Sequence, residues 1–110
     1  MPQRLTALID TGASCTCIDP AIIAALELSP TGSIQVFTPS TGDRGHATAQ
    51  YDACLQIYTS PQQAPLEIPL IAVVASELKM HGIDALIGRD VLQHCLLWYN
   101  GSSGIFSLAY

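Results

Sequence analysis

The sequence predicts a mostly-β chain, a closed or half-open β-barrel carrying two short helices. Three observations carry this expectation. Apolar residues recur with a period of two in short runs, separated by clusters of Gly, Pro, Ser and Asn, the pattern of strands and turns. Two such runs, 34–37 and 47–51, flank a polar tip containing Gly42 and Gly45, as in a β-hairpin. Only 21–28 and 89–95 have helix-forming composition, and both are short. At 110 residues the chain fits a single domain over 1–110, large enough for one core without metals or disulfides.

Each element has a local reason. Leu5, Thr6, Ala7, Leu8 and Ile9 read as a mostly buried strand, and Gly12 supplies a sharp turn after it. Cys15, Cys17 and Ile18 alternate with smaller residues and suggest a short strand. Asp19 is placed as a helix N-cap with Pro20 at the first helical position. The helix that follows, 21–28, gathers Ile22, Ile23, Ala25 and Leu26 on one face, and Ser29-Pro30-Thr31-Gly32 stops it. After the hairpin, 51–58 alternates again, with Cys54, Leu55, Ile57 and Tyr58 as its apolar content, and 59–65 is a loop. Residues 66–74 form another strand in which Pro69 marks an edge or a bulge. A loop at 76–82 delivers 83–87, then the short helix 89–95, then two strands, 96–101 and 104–110, around an Asn100-Gly101 turn.

Two stretches carry the chemistry. Ile9-Asp10-Thr11-Gly12-Ala13-Ser14 brings one carboxylate to the end of an apolar strand, where it can act as a general base on water if a second acid is close. Alone, Asp-Thr-Gly is a weak signal. It gains weight from Ala85-Leu86-Ile87-Gly88-Arg89-Asp90-Val91-Leu92, about seventy residues on.

The ordered pair, Leu8-Ile9-Asp10-Thr11-Gly12-Ala13 and then Leu86-Ile87-Gly88-Arg89-Asp90, resembles the retropepsin-like aspartic proteases. The helix after the Asp10 loop and the terminal hairpin are more similar to cellular and bacterial members than to the compact viral enzymes. The resemblance implies one pepsin-type lobe per chain and an aspartic endopeptidase. In this class two carboxylates share one proton, one activating water and the other donating to the scissile carbonyl. With a single Asp-Thr-Gly per chain, the partner is expected from a second copy in a two-fold homodimer.

The roles implied by the match are these. Asp10 is the catalytic carboxylate, Thr11 fixes the dyad across the axis, and Gly12 offers its backbone to substrate. Ala13, Ser14, Gly42 and Leu86 are the expected substrate-binding residues: Ala13 and Leu86 line apolar subsites, Ser14 stands where an acid is usual, and Gly42 lies at the tip of a flap that closes over peptide. An ordinary solvated hairpin is the other reading of that tip. Arg89, lacking the usual acid partner, is expected to bind backbone carbonyls or another acid, while Asp84 and Asp90 stand in the wrong context for catalysis. Family members have a strand or hairpin before the Asp-Thr-Gly strand, and only nine residues precede Asp10 here. Either that strand is missing or the C-terminal hairpin fills its place.

Composition narrows the field. Charged residues are 12% and apolar residues 49%, so some apolar surplus is expected in a subunit interface. A net charge of −5, with only Arg4, Arg44, Lys79 and Arg89 as cations, argues against nucleic acid. No apolar run approaches the roughly twenty residues a bilayer needs, and no signal pattern opens the chain. The expectation is a cytoplasmic protein with no membrane partner, unless this is an excised domain of an exported or anchored chain. Cys15, Cys17, Cys54 and Cys95, with His46, His81 and His94, lack zinc-site spacing, so no metal and no cofactor are expected. The thiols are read as small buried hydrophobes. Two further readings stay open: a silent domain of the same fold that binds peptide or dimerises, and a small thiol protein using Cys15 and Cys17.

Overall fold

The computed structural model describes residues 2–36 and 45–110. The flap tip and Gly42 lie outside the described residues. Among the described residues, eight strands, two helices and a 3₁₀ turn follow in the order β1 (Ala7–Ile9), β2 (Cys17–Ile18), α1 (Pro20–Ala25), β3 (Pro30–Val36), β4 (His46–Ile57), β5 (Leu66–Ala75), the 3₁₀ turn (Lys79–His81), β6 (Ala85–Ile87), α2 (Arg89–Leu92), β7 (Leu96–Asn100) and β8 (Ile105–Ala109).

The mostly-β expectation holds, with a correction to its form. Six strands make one sheet in the order β1-β6-β2-β5-β4-β3, and β7 and β8 form a separate two-stranded sheet. Among the described residues the sheet ends on β1 and β3 and is not closed, so the closed form of the expected barrel is overturned. Closure needs β1 to find a partner on its outer side, and among the described residues β7 and β8 pair only with each other. The C-terminal hairpin therefore does not fill the place beside β1.

Strands β3, β4 and β5 are an antiparallel meander, with Val36 paired to His46 at the hairpin end and Ile57 to Leu66 at the other. The alternation in β4 works as expected for a half-buried strand: Tyr51, Ala53, Leu55 and Ile57 are half-buried, while Asp52, Cys54 and Gln56 are exposed. Between Ala53↔Ile71 and Leu55↔Ile68 the register slips by one residue, leaving Pro69 and Leu70 opposite Cys54. That is a β-bulge at the proline, where a missing N–H costs the ladder least.

Helix α1 starts as its sequence requires. Asp19 sits in an extended conformation and accepts the Ala21 N–H at 2.8 Å, with Pro20 following in the first turn. It ends at Ala25, three residues early, because Glu27 adopts a left-handed φ of 56°. The Leu28 N–H then turns back onto the Ile23 carbonyl at 3.2 Å, which closes off the helix end. Ile22 and Ile23 are buried with Ile18, Ile71, Val73, Ala85, Ile87 and Val91 in one core that joins both helices to the sheet.

The placement of β6 matters most. It runs parallel to β1 (Leu8↔Leu86) and antiparallel to β2 (Cys17↔Leu86), and lies between them. The chain leaves β1, passes over the end of β6 through residues 10–16, and returns on the other side as β2. Topology alone therefore sets the Asp10 loop against Gly88 and Arg89, which emerge from that same end of β6.

Candidate functional site

Backbone and side-chain hydrogen bonds weld the two motifs. The Asp10 N–H donates to the Ile87 carbonyl at 2.9 Å, extending the β1–β6 ladder into the loop. The Arg89 N–H donates to the Ala13 carbonyl at 2.9 Å, and the Arg89 guanidinium donates through Nη1 to the Thr11 carbonyl at 2.9 Å. Arg89 thus holds the loop through backbone carbonyls, one of the two options its sequence context left.

A second set of contacts comes from a residue the sequence reading set aside. Asp90 accepts the Thr16 N–H on Oδ2 at 2.9 Å and the Thr16 hydroxyl on Oδ1 at 2.7 Å, while Oδ1 also takes the Val91 N–H at 2.9 Å. Thr16 Oγ1 in turn accepts the Gly88 N–H at 3.2 Å. Thr16 is fully buried, at 0% exposure, so water cannot replace these partners, and its carbonyl is taken by the Val74 N–H at 3.1 Å. Asp90 therefore has both carboxylate oxygens engaged, and its position at a helix start concealed a structural clamp. The available signal was its place directly after Gly88-Arg89, facing a Thr beyond the Asp10 loop.

Both motif glycines sit where space is short. Gly12 does not adopt a positive φ, so the expected reason for a glycine there is replaced by another: a Cβ at Gly12 would lie 3.2 Å from Asp10 Oδ1. That oxygen accepts the Gly12 N–H at 2.8 Å, which aims the carboxylate back over its own loop. The case at Gly88 is stronger. Its backbone is extended, and a Cβ would lie 2.5 Å from the Cys15 carbonyl oxygen. Only glycine permits strand end and loop to touch there.

The remaining site candidates fall as follows. Thr11 and Gly12 are exposed at the loop tip and Asp10 is half-buried behind them. Ala13 is half-buried and Ser14 exposed. Leu86 is half-buried in the middle of β6, paired to Leu8 and Cys17, one residue before the carbonyl that receives Asp10. Asp10, Thr11, Gly12 and Ala13 thus form one loop, and Leu86 stands beneath it. The Gly42 expectation lies outside the described residues.

An apolar groove of about 590 Å³ runs beside this loop, lined by Ala7, Leu8, Ile9, Thr11, Leu97, Tyr99 and Phe106. A smaller cavity of about 310 Å³ adjoins it between the loop, α2 and β7, touching Thr11, Arg89, Leu92, Gln93 and Leu97. Leu8, Leu96, Trp98, Tyr99, Ile105 and Phe106 are each at least half exposed around that region. The hairpin is anchored at its far end by Tyr110, whose hydroxyl donates to the Ala64 carbonyl at 2.6 Å.

Electrostatics separates the acids. Asp19 accepts N–H groups from Ala21, Leu78 and Lys79, and these hold its carboxyl below the usual carboxylate range. Asp84 is also held low, first by the Lys79 ammonium and then by the Thr6 N–H; Lys79 is raised in return. Burial pushes the Cys17 thiol up to about 12, with Cys15, Asp90 and Asp10 adding to the effect. Cys15, Cys17 and Cys95 are half-buried and Cys54 is exposed, all as free thiols, so the expectation of buried thiols is corrected, most plainly at Cys54. Among the described residues no three His, Cys, Asp or Glu side chains converge as metal ligands. No helix of the described residues is long and apolar enough to cross a membrane.

No family model, curated protein or solved structure matches the chain.

Proposed function

We propose that the chain is an aspartic endopeptidase of the retropepsin type, working as a two-fold homodimer with Asp10 and its copy as the catalytic pair. One observation carries the reading. Of the four aspartates around the two motifs, Asp10 alone keeps a carboxylate oxygen out of the network that holds the fold. Asp19, Asp84 and Asp90 each commit both oxygens to N–H, hydroxyl or ammonium donors. Asp10 spends Oδ1 on Gly12, and its Oδ2 has no donor among the described residues.

A general base needs a lone pair aimed at the reacting water, and Asp10 has one. The second acid cannot be a neighbour whose oxygens are already engaged, so a second copy supplies it. Two such carboxylates share one proton: the ionised member takes a proton from water, and the protonated member donates to the peptide carbonyl. Thr11 and Gly12 stand at the loop tip, where the axis would pass. The exposed apolar side chains of β1 and the β7–β8 hairpin are surface that a partner copy would cover.

A second reading has its own support. The groove beside Thr11 is apolar enough to dock an extended peptide without turnover. Cleavage of a mixed apolar peptide library across acid to neutral pH separates the two. Turnover by the parent that Asp10→Asn abolishes, with fold and association unchanged, supports the peptidase. Equal turnover by both removes Asp10 from the mechanism, and no turnover by a well-formed parent dimer favours the silent domain.

A further inference from the structure

We infer that the β7–β8 hairpin is a hinged lid over β1, held open by one clasp, the Tyr110 hydroxyl. The lid closes on the chain's own strand, so the inference does not rest on the peptidase reading.

The hairpin is loosely seated. Among the described residues β7 and β8 pair only with each other, and a two-stranded hairpin by itself is marginal in water. None of its side chains belongs to the buried core or packs against it. Open space separates it from the rest of the chain: the groove of about 590 Å³ on the β1 side and the cavity of about 310 Å³ on the α2 side.

Its attachments lie at one end. Leu96 pairs with Ala109, so the hairpin's two ends stand side by side. The first is the root, a covalent continuation of α2, where Val91 is fully buried and the Cys95 N–H closes on the Leu92 carbonyl at 3.0 Å. The other leads to the clasp. The Tyr110 hydroxyl donates to the Ala64 carbonyl at 2.6 Å and lies 3.3 Å from the Thr59 hydroxyl, both on the connection between β4 and β5. Among the described residues these are the only hydrogen bonds from 96–110 to the rest of the chain. The turn at 101–104 bonds only within the hairpin, through Asn100.

The free end carries the apolar face that closure uses. Tyr99 and Phe106 are cross-strand partners, and both line the groove together with Leu8. They are 66% and 54% exposed, and Leu8 is 50% exposed. Tyr99 stands three residues from the root, about 10 Å along the strand. A small rotation at the root therefore carries the pair across the groove, and removing the three side chains from water favours that movement. Tyr110 opposes it, because its hydroxyl is fixed to a connection that belongs to the large sheet. An exposed hydrogen bond of this kind shifts such an equilibrium by about two- to tenfold, so the clasp biases the lid without locking it. Trp98 alternates to the opposite face of β7 and stays in water in either position.

The test sets two fluorescent positions against each other. Trp98 is the only tryptophan and reports the outer face; a Trp98→Phe/Tyr99→Trp version reports the inner one. Acrylamide quenching is measured for each with Tyr110 intact and with Tyr110→Phe, which removes the hydroxyl and keeps the ring. Tyr110→Phe should lower quenching at the inner position, through a gain of about two- to tenfold in the closed population, and leave quenching of Trp98 and Tm unchanged. Thr59→Val, which keeps the Ala64 bond, should move the inner reporter less and in the same direction. Inner quenching that stays the same or rises would overturn the lid, as would an equal change at both positions, the sign of a frayed hairpin. A fall that disappears on dilution together with a faster-sedimenting species would also overturn it, since association rather than closure would then cover the groove.

Discussion

Replacing Asp90 with alanine tests the claim that the two motifs are held by a side-chain clamp. The substitution removes the acceptor for both the Thr16 N–H and the Thr16 hydroxyl, while the Val91 N–H keeps the Gly88 carbonyl at 3.2 Å. Thr16 is 0% exposed, so water cannot take over its two donors. A buried donor left without a partner costs about 1–3 kcal/mol, so the two Thr16 donors alone predict a loss of roughly 2–6 kcal/mol. For a domain of this size that lowers Tm by at least about 10 °C. Asp90→Asn keeps one acceptor oxygen but turns the other into a donor, leaving one Thr16 donor unpaired, and should cost about 1–3 kcal/mol. The assay is urea and thermal unfolding followed by far-UV circular dichroism, with Thr16→Val made in both backgrounds. Removing the Thr16 hydroxyl should hurt the Asp90→Ala protein less than the parent, with a coupling of about 1 kcal/mol or more. An Asp90→Ala protein within about 0.5 kcal/mol of the parent would refute the clamp, since that is the range of an ordinary surface change.

Three further outcomes follow from the same structure. Gly88→Ala puts a methyl group 2.5 Å from the Cys15 carbonyl oxygen, where backbone must move; it should cost about 1–3 kcal/mol in urea unfolding, and a neutral result would mean that the strand end and loop are not in contact. Asp19 and Asp84 have folded pKa values below their unfolded ones, so their contribution is complete above about pH 4 and is lost as pH falls through the folded values. Tm should therefore be level from neutral pH down to that point and decline below it, and Asp19→Asn should flatten the decline. Leu97, which lines both the groove and the adjoining cavity, is the position to charge: on the proposed reading the parent should sediment as a dimer at micromolar concentration, and Leu97→Glu should leave a folded monomer.

What could be read in advance was whatever neighbours along the chain decide. The Asp19-Pro20 start of α1 is such a case, because a cap and the residue it serves lie within three positions. Pro69 is another, since a residue without an N–H must disturb a ladder wherever it falls. The end of α1 was misjudged because Glu27, an ordinary helix former, takes a left-handed conformation that sends the chain into β3. The motif pair could be seen, but the parts that join it could not. Thr16 and Asp90 are 74 positions apart, and neither residue type announces a buried hydrogen bond. The open sheet was hidden for the same reason, since closure depends on what lies beside β1, and β7 and β8 look like any other strands in sequence.

The division of labour among the aspartates ties the fold to the proposed chemistry. A carboxylate that accepts two or three N–H groups is a strong structural joint and a poor base, because its lone pairs are spent and its charged form is favoured. Asp19 fastens the Leu78–Lys79 turn to α1, Asp84 fastens the approach to β1, and Asp90 fastens the return from the Asp10 loop. With those three in place the loop has little freedom of its own: its first carbonyls are held by Arg89 and its exit by Thr16. Asp10 can therefore leave one oxygen uncommitted without loosening the structure. The same economy leaves this side of the molecule with one uncommitted carboxylate among those four aspartates. On the proposed reading, an acid pair at Asp10 would be completed by association, and surface residues such as Trp98 and Phe106 would become conditions for activity without touching the reacting atoms. Substitutions there should mimic loss of a catalytic residue at low protein concentration and become silent at high concentration, whereas loss of Asp10 persists at both.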